Sequence, residues 1–320
     1  MLTCPACGDP IRKGDGFCEG CGHRLPPPCT TCGSPTVDSK GYCQRCGRLR
    51  PSSRDHVEID LASIAGVSNR GLQHETNQDA MGALEYSYGL DPGVVAVVCD
   101  GVSNSPRPEE ASQVAADTGT RVLVAQLEAG VSPEVATTAA TDTAANAVNA
   151  LADSPDDAPA CTYVSAVVNE TSVTVGWIGD SRAYWLGSGS NVPSALLTHD
   201  DSLVNHLVRT GEVSDSEASR HPNAHALVKW LGADAGDVAP QVVSFEPTGP
   251  GAVLICSDGL WNYIPDAENL AAAVPAAVEA PLPSARFLVQ VALDAGGHDN
   301  ITVVLIPFLP KGGRLDDRWF

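Results

Sequence analysis

Apolar residues occur in long runs at several points in the chain, and three of these runs meet an aspartate. Residues 94–99 lead directly into Asp100, and residues 252–256 lead through one serine into Asp258. In the third case the order is reversed, because Asp299 precedes the run. A near-continuous Val/Ala/Ile run predicts a strand that is buried on both faces. The pattern therefore predicts three buried strands that each place a carboxylate at one end.

Other stretches have apolar residues at helical spacing. Residues 108–130 begin with Pro-Glu-Glu and residues 132–153 with Ser-Pro-Glu, and such first turns favour the start of a helix. We expect two further helices. One lies within residues 266–279, where Pro275 interrupts the pattern, and the other lies within residues 283–295.

Residues 161–186 alternate apolar and polar positions in two runs on either side of Asn169-Glu170. This alternation predicts a β-hairpin that continues through the GDSR motif at residues 179–182. Hairpin strands and paired helices together predict an α+β domain with helices outside packed sheets. The predicted boundaries are a polar linker at 51–60, the domain at 61–309 and a C-terminal tail at 310–320.

Eight of the 11 cysteines lie in the first 46 residues, as four C-x-x-C pairs that form an internal repeat. Two C-x-x-C turns can close one tetrahedral site, so we expect two structural Zn²⁺ ions in a double zinc ribbon at residues 1–50. The predicted ligands of the first ion are Cys4, Cys7, Cys18 and Cys21, and those of the second are Cys29, Cys32, Cys43 and Cys46.

A disulfide framework or a redox-active pair is the alternative interpretation of these cysteines. The N-terminus, MLTCPACGDP, lacks the basic and then apolar order of a secretory signal. This favours a cytoplasmic protein in a reducing compartment, and therefore zinc. Each half of the repeat is so short that we expect it to fold only with its metal.

Charge is distributed unevenly along the chain, whose formal net charge is −20. The first 55 residues carry eight Lys/Arg against five Asp/Glu, whereas the remainder carries 11 against 34. Such an acidic body repels nucleic acid and anionic membrane surfaces, and no apolar run is long enough to span a membrane. We therefore expect neither partner, and we expect the ribbons to be a protein-interaction or tethering module.

Candidate ligands for a second kind of metal lie at predicted strand ends and in loops: Asp79, Asp100, Asp180, Asp258 and Asp299. A single aspartate there is usually a cap or turn residue, but several from separate segments predict a shared site. Clustered carboxylates raise one another's pKa and need a cation to ionise together. Oxygen ligands favour Mg²⁺ or Mn²⁺, and Gly101 could add its main-chain carbonyl. Two such ions would direct a water of lowered pKa at a phosphoryl group.

Six motifs between about residues 60 and 308 resemble, in order and spacing, the bacterial branch of the type-2C metal-dependent Ser/Thr protein phosphatases. They are GVSNRGLQHETNQDA, VVCDGVSNS, VGWIGDSRAYWL, LTHDDSLVNHLVRTGEV, LICSDGLWN and GHDNITVV. The resemblance implies a β-sandwich of two antiparallel sheets flanked by helix pairs, with a dinuclear Mn²⁺ or Mg²⁺ centre at one end. It also implies single-step attack of metal-activated water on phosphoserine or phosphothreonine of proteins, with a Ser/Thr kinase as the partner enzyme.

The resemblance also implies the role of each acid. Asp79 resembles the acid that holds the metals through water. Asp100 resembles the carboxylate that bridges them, with Gly101 giving its carbonyl oxygen. Asp258 and Asp299 resemble the remaining ligands. Together these four aspartates form the implied catalytic set.

Two further features follow from the same resemblance. Asp180 resembles the residue that bacterial members use, together with the acid matching Asp258, for a third and weaker metal ion. Residues 198–231 resemble a mobile flap beside the site, and their polar sequence suits a loop that opens and closes.

The sequence departs from the family pattern at three places. The family often has an arginine five residues before the acid matched by Asp79, and His74 stands here, although an imidazole is a weaker phosphate clamp than a guanidinium. Arg70 and Arg107 are the candidate replacements. Gln78 replaces a glutamate, and residues 102–104 (Val-Ser-Asn) replace Met/His-Gly-Gly. These changes concern substrate binding and turnover rather than the metal ligands.

Three hypotheses of different class are compatible with these residues. The first is an active Mn²⁺/Mg²⁺-dependent Ser/Thr phosphatase with zinc ribbons as an interaction module. The alternative is a catalytically weak or inactive phosphatase-like protein that binds phosphorylated partners. A nucleic-acid-binding adaptor that uses the ribbons is disfavoured by the acidic body.

Overall fold

The computed structural model divides into two compact units, Met1–Ser53 and Arg54–Phe320. The structure describes residues 2–4, 7–12, 17–22, 29, 32–34, 42–48, 52–89, 91–154, 157–189, 192–210 (without the side chains at 206 and 209), 226–236 and 239–310.

The described residues form strands and helices in the following order. The strands are β1 (Leu2–Thr3), β2 (Pro10–Ile11), β3 (His56–Leu61), β4 (Ile64–Asn69), β5 (Ala80–Tyr88), β6 (Asp91–Cys99), β7 (Tyr163–Asn169), β8 (Val173–Ile178), β9 (Arg182–Gly187), β10 (Ala195–Leu196), β11 (Gln241–Phe245), β12 (Gly251–Cys256) and β13 (Ile301–Phe308). The helices are α1 (Pro108–Glu128), α2 (Pro133–Asn149), α3 (Leu203–Thr210), α4 (Asp258–Trp261), α5 (Ala267–Ala273) and α6 (Pro281–Asp294).

The larger unit is built on two antiparallel sheets. One has six strands in the order β10-β9-β12-β13-β4-β3, and the other has five in the order β11-β8-β7-β6-β5. Helices α1 and α2 pack on the five-stranded sheet, and α6 packs on β4 and β13 of the six-stranded sheet. This arrangement confirms the predicted α+β sandwich of two antiparallel sheets with helices outside.

The apolar runs are continuous because each central strand is buried on both faces. In β6, Val94, Ala96 and Val98 pack between the two sheets, whereas Val95 and Val97 pack against the helices. Strands β12 and β13 divide their side chains in the same alternating way. The period of two is therefore present, but both of its faces are apolar.

The four predicted helices are present, with ends that differ by a few residues. Helix α5 stops at Ala273, so Pro275 interrupts the pattern as expected. Helix α6 begins at Pro281 rather than within the predicted range, because Pro281 occupies the first turn, where a missing N–H costs nothing. None of the helices in the described ranges combines the length and apolar character needed to cross a membrane.

The segment predicted as a linker, residues 51–60, is only partly one. His56–Leu61 form β3, which pairs antiparallel with β4 at the edge of the six-stranded sheet. Most β3 side chains are exposed, so the segment is polar enough to resemble a linker. This prediction is corrected: an edge strand of the larger unit begins at His56.

In the smaller unit the cysteine sulfurs come together in the two predicted sets. Within each set all four Sγ atoms lie within 4.8 Å of one another, and the recorded Sγ–Sγ distances are 3.4–3.7 Å. A tetrahedral ion with Zn–S bonds of about 2.3 Å requires edges of about 3.8 Å. Each pair is followed by a glycine with φ between 69° and 79°, namely Gly8, Gly22, Gly33 and Gly47. The cysteines therefore have the geometry of two Cys4 zinc sites.

Candidate active site

The predicted acidic residues meet at one end of the sandwich. Asp100 directly follows β6, Asp258 begins α4 after β12, and Asp299 lies two residues before β13. The antiparallel register pairs Cys256 with Val303, so the end of β12 lies beside the start of β13. Burial raises the pKa of Asp100, and the charges of the four other aspartates, Asp79, Asp258, Asp180 and Asp299, raise it further.

Asp79 is the most deeply buried member of this group, with 3% of its surface exposed. Ser257 Oγ and Thr302 Oγ1 each donate a hydrogen bond of 2.7 Å to its Oδ2. Its Oδ1 has no hydrogen-bond partner among the described residues. Burial raises the pKa of Asp79 to about 7, the two hydroxyl donors lower it, and the charges of Asp258 and Asp299 raise it further.

Asp100 and Gly101 lie in a constrained loop. The Asp100 amide donates to Thr162 Oγ1 at 3.0 Å, and burial followed by the charge of Asp79 raises the pKa of Asp100 well above its usual range. A Cβ at Gly101 would lie 2.5 Å from the Pro108 carbonyl oxygen. Position 101 therefore requires glycine, and its main chain lies next to the carboxylates.

Asp258 and Asp180 form the other side of the site. Burial raises the pKa of Asp258 to about 6, with a further increase from Asp299. Its Oδ1 also has no hydrogen-bond partner within the described ranges. Burial raises the pKa of Asp180 to about 8, and the charges of Asp258 and Asp200 add to this effect.

His74 and Arg70, two of the three candidate phosphate-binding residues, have different surroundings, whereas the third, Arg107, pairs with Glu110 and Asp157. His74 Nε2 lies 3.2 Å from Asp299 Oδ1, and 27% of the histidine side chain is exposed. The Arg70 guanidinium instead donates to the main-chain carbonyl of His74, and its Nε lies 3.7 Å from Asp55 Oδ2. The imidazole of His74 therefore contacts a carboxylate of the site, whereas the guanidinium of Arg70 binds the main chain of the loop that carries His74.

Gln78 connects the segments that carry the acids. Its main-chain N–H donates to Asn300 Oδ1 at 2.7 Å, and its main-chain carbonyl accepts from the Gly101 N–H at 3.2 Å. Its side-chain Oε1 accepts from Ser103 Oγ at 2.8 Å. Two of the places where the sequence departs from the family pattern, Gln78 and residues 102–104, are thus in direct contact.

Several residues that order the site were missed at the sequence level. Most of them lie within three positions of a predicted acid, so proximity to the motifs was an available signal: Asn77, Ser181, Arg182, Ser257, Asn300 and Thr302. Arg54 gave no such signal, because it fell in the predicted linker. It donates to Gln113 Oε1 at 2.8 Å and to the main-chain oxygens of Asp79 and Glu109.

The carboxylates fit a cluster of hard divalent cations. Burial and the charges of neighbouring aspartates raise the pKa values of Asp79 and Asp258, and one buried oxygen of each has no hydrogen-bond donor among the residues that the structure describes. A buried carboxylate oxygen without a donor is costly unless a cation or water approaches it. Oxygen atoms are the ligands that Mg²⁺ and Mn²⁺ prefer.

Two family profiles match the chain. Residues 68–288 match the family described as Protein phosphatase 2C, and residues 4–47 match the family described as Double zinc ribbon. The first match covers the segments of Asp79, Asp100, Asp180 and Asp258, and Asp299 lies beyond it. The second covers all eight cysteines of the two Cys4 sets.

Individual proteins of known sequence or structure are similar to the larger unit. "Serine/threonine phosphatase stp" of Listeria innocua is 37% identical over 153 residues, which are 45% of this chain and 55% of that protein. The chain thus matches about half the length of this curated relative. The serine/threonine phosphatase PstP/Ppp of Mycobacterium tuberculosis superposes with a TM-score of 0.63 and 27% identity, over 77% of this chain and 98% of that one. A PstP catalytic domain in complex with two manganese ions has a TM-score of 0.58, again with 27% identity, over 77% of this chain and 97% of that one.

Proposed function

Because the chain belongs to the protein phosphatase 2C family, we propose that it hydrolyses phosphoserine and phosphothreonine in phosphorylated proteins. Two Mn²⁺ or Mg²⁺ ions would occupy the carboxylate cluster, with a third ion at Asp180. The observation that carries this proposal is a buried oxygen on each of Asp79 and Asp258 that has no hydrogen-bond partner among the described residues, in carboxylates whose pKa values are raised.

The side chains of the site fall into two groups, namely metal ligands and residues that orient the ligands. When bound, two divalent ions supply positive charge for the phosphoryl oxygens and a water of lowered pKa. Asp100, Asp258 and Asp299 would hold the ions, together with the main-chain carbonyl of Gly101. Asp79 would hold the ions through water. The Ser257 and Thr302 hydroxyls, which donate hydrogen bonds to its Oδ2, orient its carboxylate.

His74 is the residue that we assign to the substrate phosphate. Its imidazole reaches the carboxylates and is partly exposed, whereas Arg70 is bonded to the His74 carbonyl. Arg70 would therefore act by positioning His74 rather than by contacting the phosphate. One imidazole donor holds a phosphate less firmly than a guanidinium fork, so we expect weak binding of the substrate phosphate.

The second candidate function is recognition of phosphorylated partners with little turnover, and it rests on the departures from the family pattern at His74, Gln78 and residues 102–104. In either case the zinc ribbons would serve as a protein-interaction module. We further propose a cytoplasmic protein with a cognate Ser/Thr kinase, since a phosphatase of this kind needs an enzyme that forms its substrate.

Hydrolysis of a phosphothreonine peptide by the full chain, with and without Mn²⁺, tests the proposal. The Asp258→Asn variant should lose the Mn²⁺-dependent release of phosphate. Asp142→Asn makes the same chemical change at an exposed position on α2 and should behave like the wild type. Wild-type protein that binds Mn²⁺ in calorimetry but releases no phosphate would exclude the enzyme and favour the binding function.

A further inference from the structure

Arg182, at the start of β9, is held between an aromatic ring and a carboxylate beside the site. Its guanidinium carbon lies 3.8 Å from the centroid of the Trp261 ring. Its Nε and Nη2 donate to the two oxygens of Asp200 at 2.9 and 2.7 Å. Only 14% of the Arg182 side chain and 10% of the Asp200 side chain are exposed. A bidentate, nearly buried pair of this kind fixes the orientation of the indole stacked on it.

Trp261 connects the two segments that carry Asp180 and Asp258. Its Nε1 donates a hydrogen bond of 2.9 Å to the main-chain oxygen of Asp180. Trp261 is also the last residue of α4, the short helix that begins at Asp258. The indole therefore joins the turn of Asp180 to the helix of Asp258.

The opposite side of the same turn is connected to a different acid. Ser181 Oγ is hydrogen-bonded to Thr162 Oγ1 at 2.6 Å, and Thr162 Oγ1 accepts from the Asp100 amide at 3.0 Å. If the Trp261 hydrogen bond were lost, the turn that carries Asp180 would still be joined to the Asp100 segment through Ser181 and Thr162. The expected consequence is a shift of Asp180 relative to Asp258 while Asp100 keeps its support.

We propose that Arg182 and Trp261 are positioning residues that fix the Asp180 carboxylate relative to Asp258 and so set the affinity of the ion that these two acids share. The inference rests on the proposed function, which places a third, weaker ion there. Both residues act through the main chain and the ring stack. Neither needs to touch the ions or the substrate.

Calorimetric titration of the full, zinc-loaded chain with Mn²⁺ tests this inference. Trp261→Phe keeps a ring for Arg182 but removes the N–H donor, and Arg182→Lys keeps the charge but removes the fork. Both variants should weaken the weaker class of Mn²⁺ sites about fivefold, the effect of losing one ordinary hydrogen bond. The tighter class should stay within twofold of the wild type.

A matched control separates this effect from a general loss of structure. Arg286→Lys removes an equally bidentate but exposed fork, with Glu58 on β3. Arg286→Lys should titrate like the wild type.

Three results would overturn the inference. They are a wild-type titration without a weaker class, variants whose weaker class is unchanged, and variants that weaken both classes equally. The proposed function fails on a different result, the absence of Mn²⁺-dependent hydrolysis in the wild type. The two failures are therefore distinguishable.

Discussion

Replacement of Asp79 by asparagine should stabilise the metal-free protein, and the gain should grow with pH. Asp79 is buried, and its pKa is raised from 3.8 to about 7. A carboxyl whose pKa is higher in the folded state than in the unfolded state destabilises the fold as pH rises through that interval. Asparagine has nearly the same shape, accepts hydrogen bonds from Ser257 and Thr302, and carries no charge.

The size of this effect follows from the two pKa values. Each pKa unit corresponds to about 1.4 kcal/mol. The raised pKa of Asp79 therefore lowers the free energy of unfolding of the Mn²⁺-free protein by about 2 kcal/mol at pH 5 and by about 4 kcal/mol at pH 8.

Urea unfolding of the wild type and Asp79→Asn at pH 5 and pH 8, without Mn²⁺ or Mg²⁺ but with zinc bound, measures the difference in free energy of unfolding. The zinc ribbons are the same in both proteins, so their contribution cancels. The variant should be the more stable protein at both pH values, with the larger difference at pH 8. With saturating Mn²⁺ the order should reverse, because the wild type gains more binding free energy.

A pH-independent difference, or a variant less stable than the metal-free wild type at pH 8, would refute this reasoning. Asp142→Asn supplies the matched control. It removes an exposed carboxylate on α2 and should change the free energy of unfolding by less than about 0.5 kcal/mol at either pH.

Three other predictions concern single positions. Gly101→Ala should destabilise the protein by about 1–3 kcal/mol in urea unfolding, because the new Cβ would lie 2.5 Å from the Pro108 carbonyl oxygen; an unchanged midpoint would contradict the close approach. Thr302→Val should weaken Mn²⁺ binding about fivefold in calorimetry, since it removes one of the two donors to Asp79; wild-type affinity would show that this donor is dispensable. Cys4→Ser should lower the zinc content measured by elemental analysis from two ions to one per chain while Mn²⁺ affinity stays unchanged, because Cys4 and the aspartates belong to different compact units.

The end of the sandwich that carries the acids was predictable because its signals are local. A strand buried on both faces must be apolar at every position, so residues 94–99 were unambiguous, and an acid directly after such a run has to lie at the strand end. The eight cysteines were equally clear, since the spacing of the C-x-x-C pairs specifies a tetrahedral site.

The missed features depend on contacts that are distant in sequence. Strand β3 exposes most of its side chains at a sheet edge, so its polar sequence resembled a linker. Ser257 and Thr302 lie 178 and 223 residues from Asp79, and only the pairing of β12 with β13 brings both hydroxyls to one carboxylate. The placement of Arg70 behind His74 was missed for a different reason, because both residues lie in one irregular loop whose conformation no periodic pattern predicts.

The rigidity of the core explains how the protein can keep its carboxylates in an unfavourable state. Asp100 and Asp258 follow strands whose side chains are close to fully buried, so the acids cannot separate to relieve their repulsion without disrupting both sheets. The repulsion therefore persists in the metal-free fold as raised pKa values. A divalent cation removes this repulsion when it binds, and the relief adds to its affinity. The same linkage requires that metal affinity fall as pH drops, because protons compete with the ions for the same oxygens.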